Sequence, residues 1–246
     1  MTLESAARKV DIPQLKTACS NCSLRELCMP VGLAPEEIDL LDELVGGRRS
    51  VKRGDSVYRA GETFSALYAV RSGFFKTRLT VGDGRDQVTG FYMAGELLGM
   101  DGISQERHNC DAVALEDSEI CMIPYARLET LSQEVKSLQR HFHKIMSREI
   151  VRENGVMMLL GTMRAEERLA AFLLNISQRL QLRGYSALEF NLRMTREEIG
   201  SYVGLKLETV SRLFSRFHAE GLIEVEQRRV RIRDIEGLRA IYAHHT

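Results

Sequence analysis

The order of apolar and polar positions divides the chain into three stretches. Over residues 35–44 the spacing of Ile38, Leu41 and Val45 predicts a short helix with one apolar face. From about Arg48 to Ile123 the period shortens. β-prone runs follow one another at residues 56–58, 66–71, 74–80, 87–93, 112–115 and 120–123. Glycines punctuate these runs, and Gly82-Asp83-Gly84 offers a hairpin turn. Short strands at this spacing predict a sandwich, roll or barrel. Pro124 closes the β section. A helical pattern then runs from Tyr125 to about Met163, with one break allowed, and further helices are expected at residues 165–182, 196–203 and 207–220. Two short strands, 223–226 and 230–233, follow, with Gln227-Arg228-Arg229 near their turn.

Within the long helical stretch, Met146, Ile150, Glu153, Met157 and Leu160 step by four, three, four and three. That is the rhythm of a coiled-coil seam. A helix this long has more apolar surface than a small roll can cover, so the seam is expected to meet a second copy of the chain; packing on its own β section is the alternative. Glu153 would then face its twin, and like charges there oppose association.

The C-terminal stretch carries a sharper pattern. Thr195-Arg196-Glu197-Glu198 reads as a capping box: the Thr195 hydroxyl accepts the Glu198 N–H, and the Glu198 carboxylate returns to the Thr195 N–H. Ile199 and Val203 mark the buried face of the helix it starts, and Gly204 supplies a position tolerant of positive φ. The next helix sets Val210, Leu213, Phe214 and Phe217 on one side and Glu208, Ser211, Arg212, Ser215 and Arg216 on the other. This is the helix-turn-helix pattern, with a second helix free to enter a major groove. Arg212 suits guanine, Glu208 suits a cytosine amino group, and Ser211 suits a base or a phosphate. Lys206, Arg216, Arg228 and Arg229 are placed to meet phosphates. An ordinary solvated helix face with a Glu208–Arg212 ion pair is the competing reading.

The total charge lends that reading no support. The 246 residues hold 34 Lys and Arg against 34 Asp and Glu, which excludes a protein held to nucleic acid by bulk charge. The neutral total hides a split: residues 164–246 carry +3 and residues 1–163 carry −3. No apolar leader marks the N-terminus, and the longest apolar run, residues 169–174, is far too short to span a bilayer. A cytoplasmic protein with reduced thiols is expected. No Ser-His-Asp order, P-loop or HExxH points to an enzyme.

Five cysteines remain to be placed: Cys19, Cys22, Cys28, Cys110 and Cys121. Zinc accepts four cysteines, often as two paired knuckles. Iron–sulfur clusters commonly take three grouped thiolates and one distant. Three cysteines within ten residues and one remote favour the cluster. Cys110 reads as a small core residue on a strand, with a substitute ligand as the alternative. No histidine lies near the N-terminal group; His108 is the nearest candidate in the β section.

These motifs together resemble the FNR-type (fumarate and nitrate reduction) regulators of the CRP/FNR superfamily. The resemblance is carried by Cys19-Ser-Asn-Cys22-Ser-Leu-Arg-Glu-Leu-Cys28, Leu67-Tyr-Ala-Val-Arg-Ser-Gly73, Gly95-Glu-Leu-Leu-Gly99 and Cys121-Met-Ile-Pro124. It continues in Ala165-Glu-Glu-Arg-Leu-Ala-Ala-Phe172 and Glu208-Thr-Val-Ser-Arg212. It implies an α+β fold with four parts. These are a cysteine-rich segment (1–30), an antiparallel β-roll sensor of the double-stranded β-helix, jelly-roll-like kind (31–124), a dimerisation helix (125–163) and a winged helix-turn-helix domain (164–246). It implies a 4Fe-4S cluster on Cys19, Cys22, Cys28 and Cys121 that oxygen converts toward 2Fe-2S, with loss of the homodimer and of DNA binding.

The resemblance further implies TTGAT-like inverted repeats in double-stranded DNA, read by Glu208, Ser211 and Arg212, with Lys206, Thr195 and Arg216 beside them. It also implies contact with RNA polymerase, and activation, sometimes repression, of anaerobic genes. Ser23 and Leu27, which flank ligands, are expected to set oxygen and solvent access. A cyclic nucleotide is not expected, because His108-Asn109 stand where the cyclic-AMP branch has Arg-Ser. A zinc site, or nitric-oxide or redox sensing, at the same cysteines is the alternative.

Overall fold

A computed structural model of the chain describes residues 19, 22–24, 27–29, 32–80 and 86–243. The Gly82-Asp83-Gly84 turn, most of the cysteine-rich segment and the His244-His245 tail lie outside the described residues. Helix α1 (Pro35–Leu44) has proline in its first turn. The Glu37 carboxylate accepts the Ala34 N–H at 2.8 Å, which supplies half of a cap that alanine itself cannot complete. Its buried face is Leu41 and Leu44.

Eight strands follow: β1 (Arg48–Val51), β2 (Ser56–Tyr58), β3 (Ala66–Ser72), β4 (Phe74–Thr80), β5 (Asp86–Met93), β6 (Leu97–Leu98), β7 (Asp111–Ala114) and β8 (Ser118–Pro124). They form two antiparallel four-stranded sheets, β1-β8-β3-β6 and β2-β7-β4-β5. The sheets close on each other around Val51, Val70, Phe75, Ala112 and Ile120, which makes the expected roll. Gly73 joins β3 to β4 with φ +91°, and a Cβ there would stand 2.0 Å from Ser118 Oγ, so only glycine fits.

The long helical stretch breaks once. Helix α2 (Tyr125–Glu134) and helix α3 (Lys136–Thr162) meet at Val135, whose backbone is extended. Helices α4 (Ala165–Gln181), α5 (Arg196–Val203), α6 (Leu207–Ala219) and α7 (Ile235–Ala243) surround a small sheet. Its strands are β9 (Glu189–Asn191), β10 (Ile223–Glu226) and β11 (Arg229–Ile232), in the order β10-β11-β9. Four elements escape the sequence pattern: β1, β6, β9 and α7. Arg229, expected near the turn, is the first residue of β11, one position before the expected start of that strand.

The C-terminal domain packs against the roll of its own chain. Phe74, Phe91 and Met93 of the roll share one core with Phe172, Ile199 and Val203. Around that core sits a polar clasp. Glu96 accepts from Arg179 at 2.5 Å and from Arg183 at 2.6 Å, and the same arginines bond the Phe91 and Ala94 carbonyls at 2.6 Å. Lys76 reaches Glu198 at 2.7 Å, and Ser201 Oγ accepts the Val88 N–H at 2.8 Å. Burial works against the Glu96 charge, but Arg179 and Arg183 outweigh it and hold its pKa below the ordinary value.

Helix α3 buries Leu138 and Phe142 at one end and Leu159 at the other. Its middle is bare: Ile150 is 59 % exposed, Val151 67 %, Met157 67 % and Met158 49 %. The apolar surface is thus wider than the heptad reading, by Val151 and Met158. Met146 and Leu160, the ends of the expected seam, pack partly on the chain's own cores. Glu153 is exposed among the bare residues.

Candidate functional site

Cys19, Cys22, Cys28 and Cys121 line one cavity between α1, β3 and β8. Each is placed locally. The Cys22 N–H donates to the Cys19 carbonyl at 3.0 Å, and the Cys28 N–H to the Leu24 carbonyl at 2.9 Å, so two tight turns fold the segment back on itself. The Cys19 N–H is held by Asp42 of α1. His141 of α3 hydrogen-bonds the backbone of Cys28. Cys121 sits in β8, opposite Arg48 of β1 on one side and Ala69 of β3 on the other.

The rest of the lining is apolar (Leu24, Met29, Leu41, Val45, Ala69, Val70 and Ile123) save for Arg71. Burial pushes the Cys28 thiol up to about 12 and raises Cys19 and Cys121 as well. Bare thiolates are therefore costly here, and a metal that brings positive charge would offset that cost. Among the described residues no three His, Cys, Asp or Glu side chains are arranged to hold a single metal ion. One further feature suits an anionic group: Arg71 Nη1 is buried and has no acceptor among the described residues.

Cys110 is elsewhere. It is buried between the two sheets, with Sγ 3.4 Å from Asp101. His108 is also a core residue, stacked on Tyr58 with ring centroids 3.6 Å apart. The cleft between the roll and α3 is lined by Tyr58, Tyr92, Asp101, Asn109, Glu149 and Glu153 among others, with no Lys, Arg or His among the described lining residues.

The capping box has the expected geometry, with Thr195 Oγ1 accepting the Glu198 N–H at 3.1 Å and the carboxylate accepting the Thr195 N–H at 2.6 Å. Gly204 takes φ +67°, and a Cβ there would lie 2.9 Å from Leu160. Val210, Leu213, Phe214 and Phe217 are buried. Glu208, Ser211, Arg212, Ser215 and Arg216 are exposed on the other face, with Lys206 exposed just before the helix.

Among the described residues no ion pair joins Glu208 to Arg212, and both side chains are exposed on the open face. Arg216 is partly engaged, 2.8 Å from Glu220. In the wing, Arg229 pairs with Glu189 at 2.6 Å, and Arg228 donates to the Arg193 carbonyl at 3.4 Å. Sequence reasoning overlooked Arg196. Its guanidinium stacks over the Phe214 ring at 3.2 Å, and burial lowers it to about 10. Its place in the first turn of α5, beside the cap, was the available signal. Arg168 binds the carbonyls of Leu160 (2.7 Å), Met163 (2.9 Å) and Val203 (3.3 Å), tying the end of α3 to the end of α5.

Residues 167–241 match the Crp-like helix-turn-helix domain family, and residues 48–135 the cyclic nucleotide-binding domain family. The chain is 49 % identical to the transcriptional regulatory protein btr of Bordetella pertussis, over 95 % of this chain and 97 % of that one. It is 44 % identical to the transcriptional activator protein FnrA of Stutzerimonas stutzeri, over 93 % of each. It is 39 % identical to the fumarate and nitrate reduction regulatory protein of Salmonella typhi, over 92 % of this chain and 90 % of the other. Among solved structures, FixK2 from Bradyrhizobium japonicum superposes with a TM-score of 0.75 at 29 % identity, covering 81 % of this chain and 98 % of that one. Among the described residues no helix is long and apolar enough to cross a membrane. A roll, a long helix and a helix-turn-helix in this order, with relatives matched over nearly the full length, place the chain in the CRP/FNR family of DNA-binding transcription regulators.

Proposed function

We propose that the chain is an oxygen-responsive transcription regulator that holds a 4Fe-4S cluster on Cys19, Cys22, Cys28 and Cys121. It acts as a homodimer on TTGAT-like inverted repeats and controls anaerobic genes through RNA polymerase. The observation that carries this reading is the thiol cavity: four sulfurs, apolar walls and, among the described residues, one cationic donor without an acceptor. When bound there, a 4Fe-4S cluster supplies reactivity toward oxygen.

The chain's own residues do the rest. Asp42 holds the Cys19 end of the segment to α1, and His141 holds the Cys28 end to α3. The segment thus rests on the same helix whose bare middle seeks a second copy. Glu153 keeps that association marginal by facing its twin. A small change at the cysteine end then suffices to move the equilibrium. On DNA, Glu208, Ser211 and Arg212 read bases, while Lys206, Thr195 and Arg216 stand at the backbone.

The roll cleft argues against a cyclic nucleotide as the signal. Among the described lining residues a phosphate would meet Asp101, Glu149 and Glu153 and no Lys, Arg or His, and the neighbouring Arg152 is already paired with Glu149. Glu96, in the Gly-Glu-Leu motif, is already committed to Arg179 and Arg183.

Purification under argon tests the reading. The protein is expected to show broad visible absorption that bleaches in air, together with loss of affinity for a labelled TTGAT inverted repeat. A colourless, zinc-loaded protein that binds the repeat equally in air overturns it.

A further inference from the structure

Among the described residues, Arg71 is the one charged side chain lining the thiol cavity. The register of β3 on β8 slips between Val70, opposite Ile120, and Ser72, opposite Glu119. Arg71 is therefore the extra residue of a bulge, and bulges re-aim the side chain they carry. Its Nε lies 3.4 Å from Glu119, an ion pair exposed enough for water to screen. Its Nη1 is the opposite case, buried and without an acceptor among the described residues. A guanidinium presents its donors in a rigid fork, so one edge cannot be satisfied by turning the other. The fold keeps this donor at the cavity wall although no group among the described residues accepts from Nη1.

We propose that Arg71 is a positioning residue for the iron–sulfur group, which finds in Nη1 a hydrogen-bond donor and in the guanidinium a counter-charge to its four thiolates. The inference rests on the iron–sulfur reading of the four cysteines. Outer-shell donors at metal sites are commonly worth 10–100-fold in retention of the metal.

The test uses the full chain, loaded and unloaded, as wild type, R71Q and R71K. Under argon, iron loss to an excess of chelator is followed by visible absorption. R71Q is expected to lose iron about tenfold faster than wild type. R71K, which keeps the charge but not the fork, is expected to fall between. The thermal midpoint of the iron-free R71Q protein is expected at or above that of wild type, because an unsatisfied buried donor has been removed. Equal rates of iron loss overturn the proposal. So does a fall in the iron-free midpoint that matches the fall in the loaded one, since that marks a purely structural role through Glu119. Wild type that takes up no iron overturns the iron–sulfur reading itself, and this proposal with it; wild type that loads normally beside an unchanged R71Q overturns the proposal alone.

Discussion

The contact between the roll and the C-terminal domain is finished within the chain, whereas the middle of α3 is left open. The first combines a shared apolar core with a clasp in which every arginine has an acceptor. The second offers four large apolar side chains to solvent around a single carboxylate. Both lie along the same helix or just beyond it. The difference teaches that the chain fixes the placement of its helix-turn-helix on its own roll, and leaves pairing as the one step that needs a second molecule. A switch is most economically built on the unfinished contact, where a few kcal/mol decide the state.

Each of the two contacts can be attacked separately. Ile150→Glu places a charge in the open stripe. Under argon the variant is expected to sediment as a monomer and to lose about a thousandfold in affinity for a two-half-site operator, because linked binding of two half-sites is lost. Unchanged sedimentation sinks the pairing role of the stripe. Glu96→Gln attacks the finished contact. Arg179 and Arg183 are left mostly buried beside a neutral amide, at a cost of about 3 kcal/mol in unfolding free energy. Sedimentation is expected to stay as in wild type, and a matching change in both variants would collapse the distinction.

Acid sharpens the same contrast. The pKa of Glu96 is lowered in the folded state, so its contribution is fully present above the unfolded value of about 4.3. It is lost as pH falls through the lower folded value. The stability gap between wild type and Glu96→Gln, followed by denaturant melts, should therefore stay level at neutral pH and close only below about pH 4. The smallest effect is expected from Glu153→Ala, which removes repulsion of about 1 kcal/mol at intermediate dielectric, near fivefold in pairing. This variant should pair and bind DNA in air. If it remains monomeric in air, the charge account of the seam is wrong.

The sequence made some of this legible and hid the rest for physical reasons. The helix-turn-helix was readable because a capping box, a positive-φ glycine and an apolar stripe are all local signals. The long strands were readable for the same reason. Strand β1, Arg-Arg-Ser-Val, buries only its last residue and so shows no alternation. Strands β6 and β9 are two and three residues long, too short to display a period. The grouping of cysteines pointed toward a shared site by residue type, yet nothing in the spacing placed Arg71 beside them. The clasp was hidden altogether, since Glu96 meets its partners 83 and 87 residues away. Val151 and Met158 were missed because a strict heptad reading sees only the narrow seam of a coiled coil.

Gly95 takes φ +89°, and a Cβ on it would come within 2.9 Å of Leu27, the residue before Cys28. One peptide further on is Glu96, the carboxylate that grips Arg179 and Arg183 of the C-terminal domain. The single bend that carries the chain from one sheet to the other, between β5 and β6, is thus touched by the cysteine segment on one side and anchored to Arg179 of α4 on the other. Pairing along α3 relates two chains; this bend makes the cysteine segment and the DNA-reading half of the same chain next-door neighbours, although 150 residues of sequence lie between Cys28 and Arg179.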